Sequence, residues 1–315
     1  TADLFALSLQ KKISKKCLKG WFDLGKLLVI CGPTATGKSD LAVNCALKLG
    51  TEVVSADSQL VYRGLNIGTA KPTAEEMRGV KHHMIDVVSP ESEFSVSDYM
   101  RLAEPIVDGL IKDGQVPVVC GGTGFYINSL LYDFSYGNVA ADGEVRKKYE
   151  KIAEERGKEY LFGLLRNADT ETAEKLHVND VKRVIRALEI YETSGRKKSE
   201  INDGRKLKRD YFAVAVDYPR EELYERISLR VDKMFDSGLV DEVEKLLDAG
   251  IDENCQCMQA IGYKEVVQGL KNQEKHSTMR DIIKQNTRRY AKRQITFFKK
   301  LDNIKWLSPN EATVE

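Results

Sequence analysis

The chain has 315 residues, 42% hydrophobic and 31% charged, a globular composition whose length suits about two domains or one large domain with an insertion. Its 49 Lys and Arg nearly balance 48 Asp and Glu, so a net charge of +1 excludes a uniformly basic nucleic-acid binder but leaves room for a local basic face. No apolar run approaches the roughly twenty residues of a membrane span, so no membrane partner is expected and the cytoplasm is the default location.

Residues 1–25 carry Lys11, Lys12, Lys15, Lys16 and Lys19 with no long apolar stretch. They read as an N-terminal extension, a basic helix ahead of the core rather than a secretory signal. Residues 26–31 (KLLVIC) form a short apolar run leading into a glycine-rich turn, as a buried parallel strand does. Leu41, Ala42, Cys45, Ala46 and Leu49 then recur at helical spacing, and Gly50 is a normal helix stop. Residues 52–56 (EVVSA) supply a second strand that delivers Asp57 at its C-terminal end. An amphipathic helix over 97–112 and a buried strand over 115–120 (QVPVVC) follow, the latter running into Gly121-Gly122-Thr123-Gly124. Polar or glycine-rich loops thus follow each strand, at the carboxyl edge of a parallel sheet where ligands bind.

From 139 to 211 the composition turns to charged, helix-favouring residues without a strand-like run, which predicts a helical insertion. Residues 211–216 (YFAVAV) return to the sheet, and the chain from Arg220 is helical by pattern apart from a loop near 250–259. The expected domains are therefore the extension at 1–25, a core at 26–138 and 212–315, and an insertion at 139–211. The six cysteines, Cys17, Cys31, Cys45, Cys120, Cys255 and Cys257, are scattered, as thiols of a reducing compartment are. Cys255 and Cys257 lack the second pair that a zinc site requires.

Gly32-Pro33-Thr34-Ala35-Thr36-Gly37-Lys38-Ser39 satisfies G-x-x-x-x-G-K-[ST] between a strand and a helix. Glycines let backbone N–H groups wrap a phosphate, and the following helix presents its positive end to the anion. Lys38 adds a point charge, and the Ser39 hydroxyl is placed for a magnesium ion. The fold expected is α/β, a P-loop NTPase-like parallel sheet flanked by helices, with the helical insertion. The motif alone suggests a nucleotide hydrolase or a small-molecule kinase, yet no second acidic strand of the kind that holds magnesium in such ATPases follows. Instead come Ser55-Ala56-Asp57-Ser58-Gln59, Tyr62, Asn66-Ile67-Gly68-Thr69-Ala70-Lys71-Pro72 and His82-His83. Adjacent histidines on regular structure point apart, so these two read as packing and hydrogen-bonding residues at a strand start.

In this order the stretches resemble the tRNA dimethylallyltransferase family, also called tRNA isopentenyltransferase. The likeness runs from Lys26 to Trp306 through GPTATGKS (32–39), SADSQLVYRGLNIGTAKP (55–72), HHMID (82–86), GGTGFYI (121–127), HVNDVKRVIRALE (177–189), AIGYKE (260–265) and TRRYAKRQITFF (287–298). The resemblance implies a phosphate loop that holds dimethylallyl diphosphate and a tRNA whose adenosine, 3′-adjacent to the anticodon, is prenylated on N6 with release of pyrophosphate. A magnesium cofactor is expected, as is a monomer. The missing C-terminal Cys/His pattern of eukaryotic members suggests the bacterial type.

A carboxylate near the adenine amine can orient it and take its proton, and the family pattern gives that role to Asp57. A magnesium ligand or a turn cap is the alternative for this residue. Lys38 and the loop N–H groups face the leaving pyrophosphate from one side, and Thr123 can donate from another. The resemblance brings in Arg230 as a diphosphate ligand, with Arg226, one turn earlier on the same face, as its rival. Asp57, Ser58, Gln59, Leu60, Lys182, Arg183, Val184, Ile185, Arg186, Gln259 and Lys264 are implied as tRNA contacts. Thr123, Arg146, Arg289 and Arg293 join them as donors or as members of two local basic runs. An adenylate isopentenyltransferase acting on free AMP, ADP or ATP would share the loop and Asp57 but would not need a basic helical insertion. A non-catalytic nucleic-acid module would leave the phosphate loop unexplained.

Overall fold

The computed structural model describes residues 27–133, 142–201 and 206–312. The N-terminal extension expected at 1–25, with Cys17, lies outside them. The described residues divide into two compact units, one running up to Leu131 and resuming at Lys208, the other spanning Tyr132–Leu207.

In the first unit β1 (Leu27–Cys31) is buried at every position but Leu28, because its sheet is covered on both faces. Gly37, with φ 79°, caps α1 (Lys38–Leu49), and the Gly50 N–H returns to the Ala46 carbonyl to end it. Next come β2 (Val53–Ser55), the short α2 (Ala74–Met77) and β3 (His82–His83). A Ser95–Asp98 capping box opens α3 (Val96–Lys112), which buries Tyr99, Ala103, Val107 and Leu110 along one stripe. The Tyr99 hydroxyl donates to the Ser55 carbonyl at 3.0 Å, fastening this helix to the end of β2. β4 (Val118–Cys120) leads through the glycine loop into α4 (Gly124–Leu131).

The second unit holds β5 (Tyr132–Asp133), α5 (Gly143–Ala168), α6 (Thr170–Lys175), α7 (Val181–Ser194) and β6 (Lys206–Leu207). Gly157, at φ 83° and ψ 162°, breaks the run of α5. Tyr149, Leu161, Leu165, Val184 and Leu188 lead its core. β5 and β6 pair antiparallel, and β6 lies in the 139–211 stretch expected to hold no strand. Two residues a side carry no periodic signal, so only the paired backbone reveals them.

The first unit resumes with β7 (Tyr211–Val216), α8 (Arg220–Asp236), α9 (Leu239–Asp248), α10 (Tyr263–Lys271), α11 (His276–Phe298), β8 (Ile304–Leu307) and α12 (Pro309–Ala312). β8 corrects the helical expectation for the tail. It pairs parallel with β7 at the sheet edge, entered by Asn303 in the left-handed region at φ 55°. The sheet order is β3-β2-β4-β1-β7-β8, and every pairing is parallel. Because β2, β4 and β1 are neighbours, the loops at their carboxyl ends emerge side by side. Ile30, Val53, Val118 and Cys120 from these strands pack with Leu41, Ala42, Cys45 and Ala46 of α1, fixing the phosphate loop to the sheet.

Candidate active site

A cavity of about 360 Å³ lies where the three loops meet. The phosphate loop contributes Thr34, Lys38 and Ser39; the loop after β2 contributes Asp57 to Leu60 and Gly68 to Ala70; the end of β4 contributes Cys120 and Gly121. The later helices close it with Arg230 from α8, Lys264 from α10, and Tyr290, Arg293 and Gln294 from α11.

The loops are bonded to one another at short range. The Thr123 N–H donates to the Ala56 carbonyl at 3.0 Å, and its Oγ1 accepts the Ser58 N–H at 3.0 Å. A Cβ on Gly121 would lie 2.1 Å from the Ala56 oxygen, so this approach of β4 to β2 demands glycine. Asp57 Oδ1 accepts the Gln59 N–H at 2.9 Å, which turns the chain and fixes the carboxylate at the cavity wall.

Charge is arranged unevenly here. Burial and the facing Arg230 guanidinium push the Lys38 ammonium below its ordinary range, with Asp57 acting in the opposite sense. Burial likewise lowers Arg230, again opposed by Asp57. Two cations that disfavour each other in a half-enclosed space fit an anionic ligand of more than one charge. The Cys120 thiol, pushed up to about 12 by burial, stays protonated and is no nucleophile. Arg230 also donates to the Thr69 carbonyl at 3.2 Å, which anchors it to the loop after β2.

A sequence model of IPP transferase matches residues 60–301. The chain is 44% identical over 292 residues to the tRNA dimethylallyltransferase of Acetivibrio thermocellus, covering 91% of this chain and 93% of that one. To the same-named protein of Oceanobacillus iheyensis it is 42% identical over 291 residues, 92% and 93% of the two chains. The chain belongs to the tRNA dimethylallyltransferase family. Its fold matches the solved tRNA isopentenylpyrophosphate transferase of Bacillus halodurans with a TM-score of 0.68 and 41% identity, covering 90% of each chain. A eukaryotic dimethylallyltransferase solved acting on tRNA matches with a TM-score of 0.78 at 29% identity, covering 90% of this chain and 74% of that one.

Of the residues expected in this family's site, Thr34, Lys38, Ser39, Asp57, Ser58, Gln59, Leu60, Arg230, Gln259, Lys264 and Arg293 line this cavity. Thr123 stands beside it through Ser58. Pro33 and Thr36 lie buried behind the loop, where the Pro33 carbonyl accepts from Thr36 Oγ1 at 2.9 Å and from Lys38 Nζ at 3.3 Å. Arg226 is not among the lining residues. Its Nε donates to the Ala35 carbonyl at 2.8 Å, and its guanidinium lies 4.6 Å from the Tyr218 ring centre, so it braces the loop. Arg289 is exposed on α11.

In the helical unit Lys182 and Arg183 face solvent, whereas Val184 and Ile185 are core residues. Their expected RNA contact does not fit this placement, because a helix cannot turn four successive side chains to one face. Arg146 and Arg186 both pair with the buried carboxylate of Glu189. His82 bonds the Val80 carbonyl and His83 the Glu52 carboxylate, so the two rings do point apart. Cys257 is a buried free thiol and Cys255 a half-buried one.

Three contributors escape the motif-based expectation. Glu242 accepts the N–H groups of Asn66, Ile67 and Gly68 at 2.9–3.2 Å and the Tyr263 hydroxyl at 2.6 Å, shaping the loop that anchors Arg230. Tyr290 lines the cavity beside Gln294 and Thr123. Gln294 is a polar residue in the buried stripe Met279, Ile283, Ala291, Gln294, Phe298 of α11. That interruption of an apolar stripe was its one signal in the sequence.

Proposed function

We propose that this protein transfers a dimethylallyl group from dimethylallyl diphosphate to N6 of the adenosine 3′-adjacent to a tRNA anticodon, releasing pyrophosphate. The convergence of Lys38, Arg230 and Asp57 on one cavity carries this reading: two cations for a diphosphate, and one carboxylate for a proton. The C1–O bond of the donor breaks with its electron pair leaving on pyrophosphate, while the N6 lone pair bonds to C1. The N6 proton passes to the Asp57 carboxylate. Lys38, Arg230 and the phosphate-loop N–H groups stabilise charge where it accumulates, on the leaving oxygens.

Magnesium fits this donor set in its usual manner, with one or two protein groups and the rest from substrate phosphates and water. Among the described residues no group of three or more His, Cys, Asp or Glu side chains is arranged for a metal. Ser39, which lines the cavity, would hold the ion together with the diphosphate, and the ion would supply charge neutralisation there. The adenine must leave its stack to reach Asp57, at a cost of about a few kcal/mol that is smaller in a loop than in a duplex.

The test is mass analysis of nucleosides after incubation with tRNA, AMP, dimethylallyl diphosphate and magnesium together. Prenylated tRNA adenosine with unmodified AMP is the expected result. Prenylated AMP with unmodified tRNA would make the protein an adenylate isopentenyltransferase instead.

A further inference from the structure

We propose that Gln294 is a positioning residue of the diphosphate site, a carboxamide clasp that holds the phosphate loop and the loop after β4 as one preorganised donor surface. The inference rests on diphosphate binding at the cavity described above.

Gln294 is buried, with 6% of its surface exposed. Its Oε1 accepts the Thr34 N–H at 3.0 Å, and its Nε2 donates to the Gly122 carbonyl at 3.0 Å. The orientation of the amide follows from these partners, since an N–H can face only an acceptor and a C=O only a donor. Phosphate-loop N–H groups ordinarily point at the ligand; at Thr34 the group points at protein. The loop is therefore held in shape by the α11 side chain and does not rely on the ligand to order it, which lowers the cost of binding.

The surroundings are built around this contact. A Cβ on Gly122 would lie 2.2 Å from Nε2, so a side chain there would displace the carboxamide from its present place. Tyr290, one turn earlier, lies beside Gln294 and Thr123, and Thr123 Oγ1 accepts from the Ser58 N–H, next to Asp57. A side chain that merely filled space would be satisfied by leucine. A group that donates at one end and accepts at the other is needed only if the two loops must be tied.

This distinction gives the test. Gln294→Glu keeps shape, but its carboxylate turns lone pairs on the Gly122 carbonyl; protonated, the acid can again donate there and accept from Thr34. Gln294→Leu fills the space and can do neither at any pH. Affinity for inorganic pyrophosphate with magnesium, measured by calorimetry, should fall about tenfold in Gln294→Glu at about pH 8. The deficit relative to wild type should shrink toward about pH 6, while that of Gln294→Leu stays constant. Lys38, Asp57, His82, Cys120, Arg230, Lys264, Tyr290 and Arg293, the ionisable groups around the same cavity, are common to all three proteins and cancel in the ratio.

Wild-type affinity in Gln294→Leu, or in Gln294→Glu at the higher pH, or deficits in the two variants that do not separate with pH, would overturn the clasp. Should Gln294→Glu fail to fold in a melting scan, Gly122→Ala displaces the intact glutamine and should reproduce the loss; unchanged affinity there would equally overturn it. Wild type that binds pyrophosphate but does not prenylate tRNA would sink the proposed function while leaving the clasp to be judged by the same affinities. Wild type that binds no pyrophosphate sinks both.

Discussion

The two units use their polar side chains to different ends. In the sheet-bearing unit, Gln294 and Glu242 reach from late helices to the backbone of loops that precede them by 172–260 residues, and the result is a cavity with fixed walls. In the helical unit the buried carboxylates organise helix ends. Glu189 accepts the Asp142 N–H at 2.7 Å and pairs with Arg146 and Arg186, while Asp169 accepts from Thr172 and Ser199. Lys182 and Arg183 are left facing solvent. Converging groups suit a small ligand of defined shape. Cations on an exposed helix face suit a phosphate backbone, where attraction is long-ranged and tolerant of position. Substitutions in the first unit should therefore change chemistry or diphosphate affinity, and those in the second RNA affinity and its salt dependence.

The sharpest way to break this contrast is Asp57→Asn. Removing the proton acceptor while keeping shape should lower single-turnover transfer by roughly 10²–10⁴-fold, with tRNA and diphosphate affinities close to wild type. A near-normal rate would remove Asp57 from the base role. Next in size, Arg230→Ala should cost roughly 10²–10³-fold in transfer, measured at saturating tRNA, because it withdraws a charged donor from the leaving group. Arg226→Ala, which removes only a brace on the Ala35 carbonyl, should cost much less. Equal losses would show that the cavity wall does not distinguish the two arginines.

The pair Arg226 and Arg230 also marks where the sequence stopped being legible. They sit one turn apart on one helix, so pattern leaves both facing the same way, and only packing decides which enters the cavity. The loops after β1, β2 and β4 were readable because each follows a short buried run and carries its own chemistry in consecutive residues. Gln294 and Glu242 were not, because their partners lie 260 and 174–176 residues away and nothing local announces a long-range hydrogen bond. β5, β6 and β8 are two to four residues long, below the length at which alternation can be told from chance. Val184 and Ile185 were expected on the RNA as part of a contiguous stretch, a description that leaves out their burial in the helical unit's core.

Glu242→Ala sharpens the comparison from the stability side. Three loop N–H groups and the Tyr263 hydroxyl would lose a charged acceptor, which should lower unfolding free energy by about 2–4 kcal/mol in a denaturant titration. The loop carrying Thr69 would loosen with it, so diphosphate affinity should fall as well. A loss of stability alone would mean that Arg230 is held without its Thr69 anchor.

The smallest effects belong to the helical unit. Lys182→Ala and Arg183→Ala each remove an exposed cation, and each should weaken tRNA binding only several-fold at moderate salt. Their signature is in the salt dependence: the slope of log affinity against log salt should flatten by about one for each phosphate that is no longer neutralised. Diphosphate affinity and the single-turnover rate on bound tRNA should stay unchanged, because neither residue borders the cavity. A variant that lowered the rate on bound tRNA with an unaltered salt slope would move these cations from holding the RNA to shaping the reacting site, and the division of labour between the two units would fail.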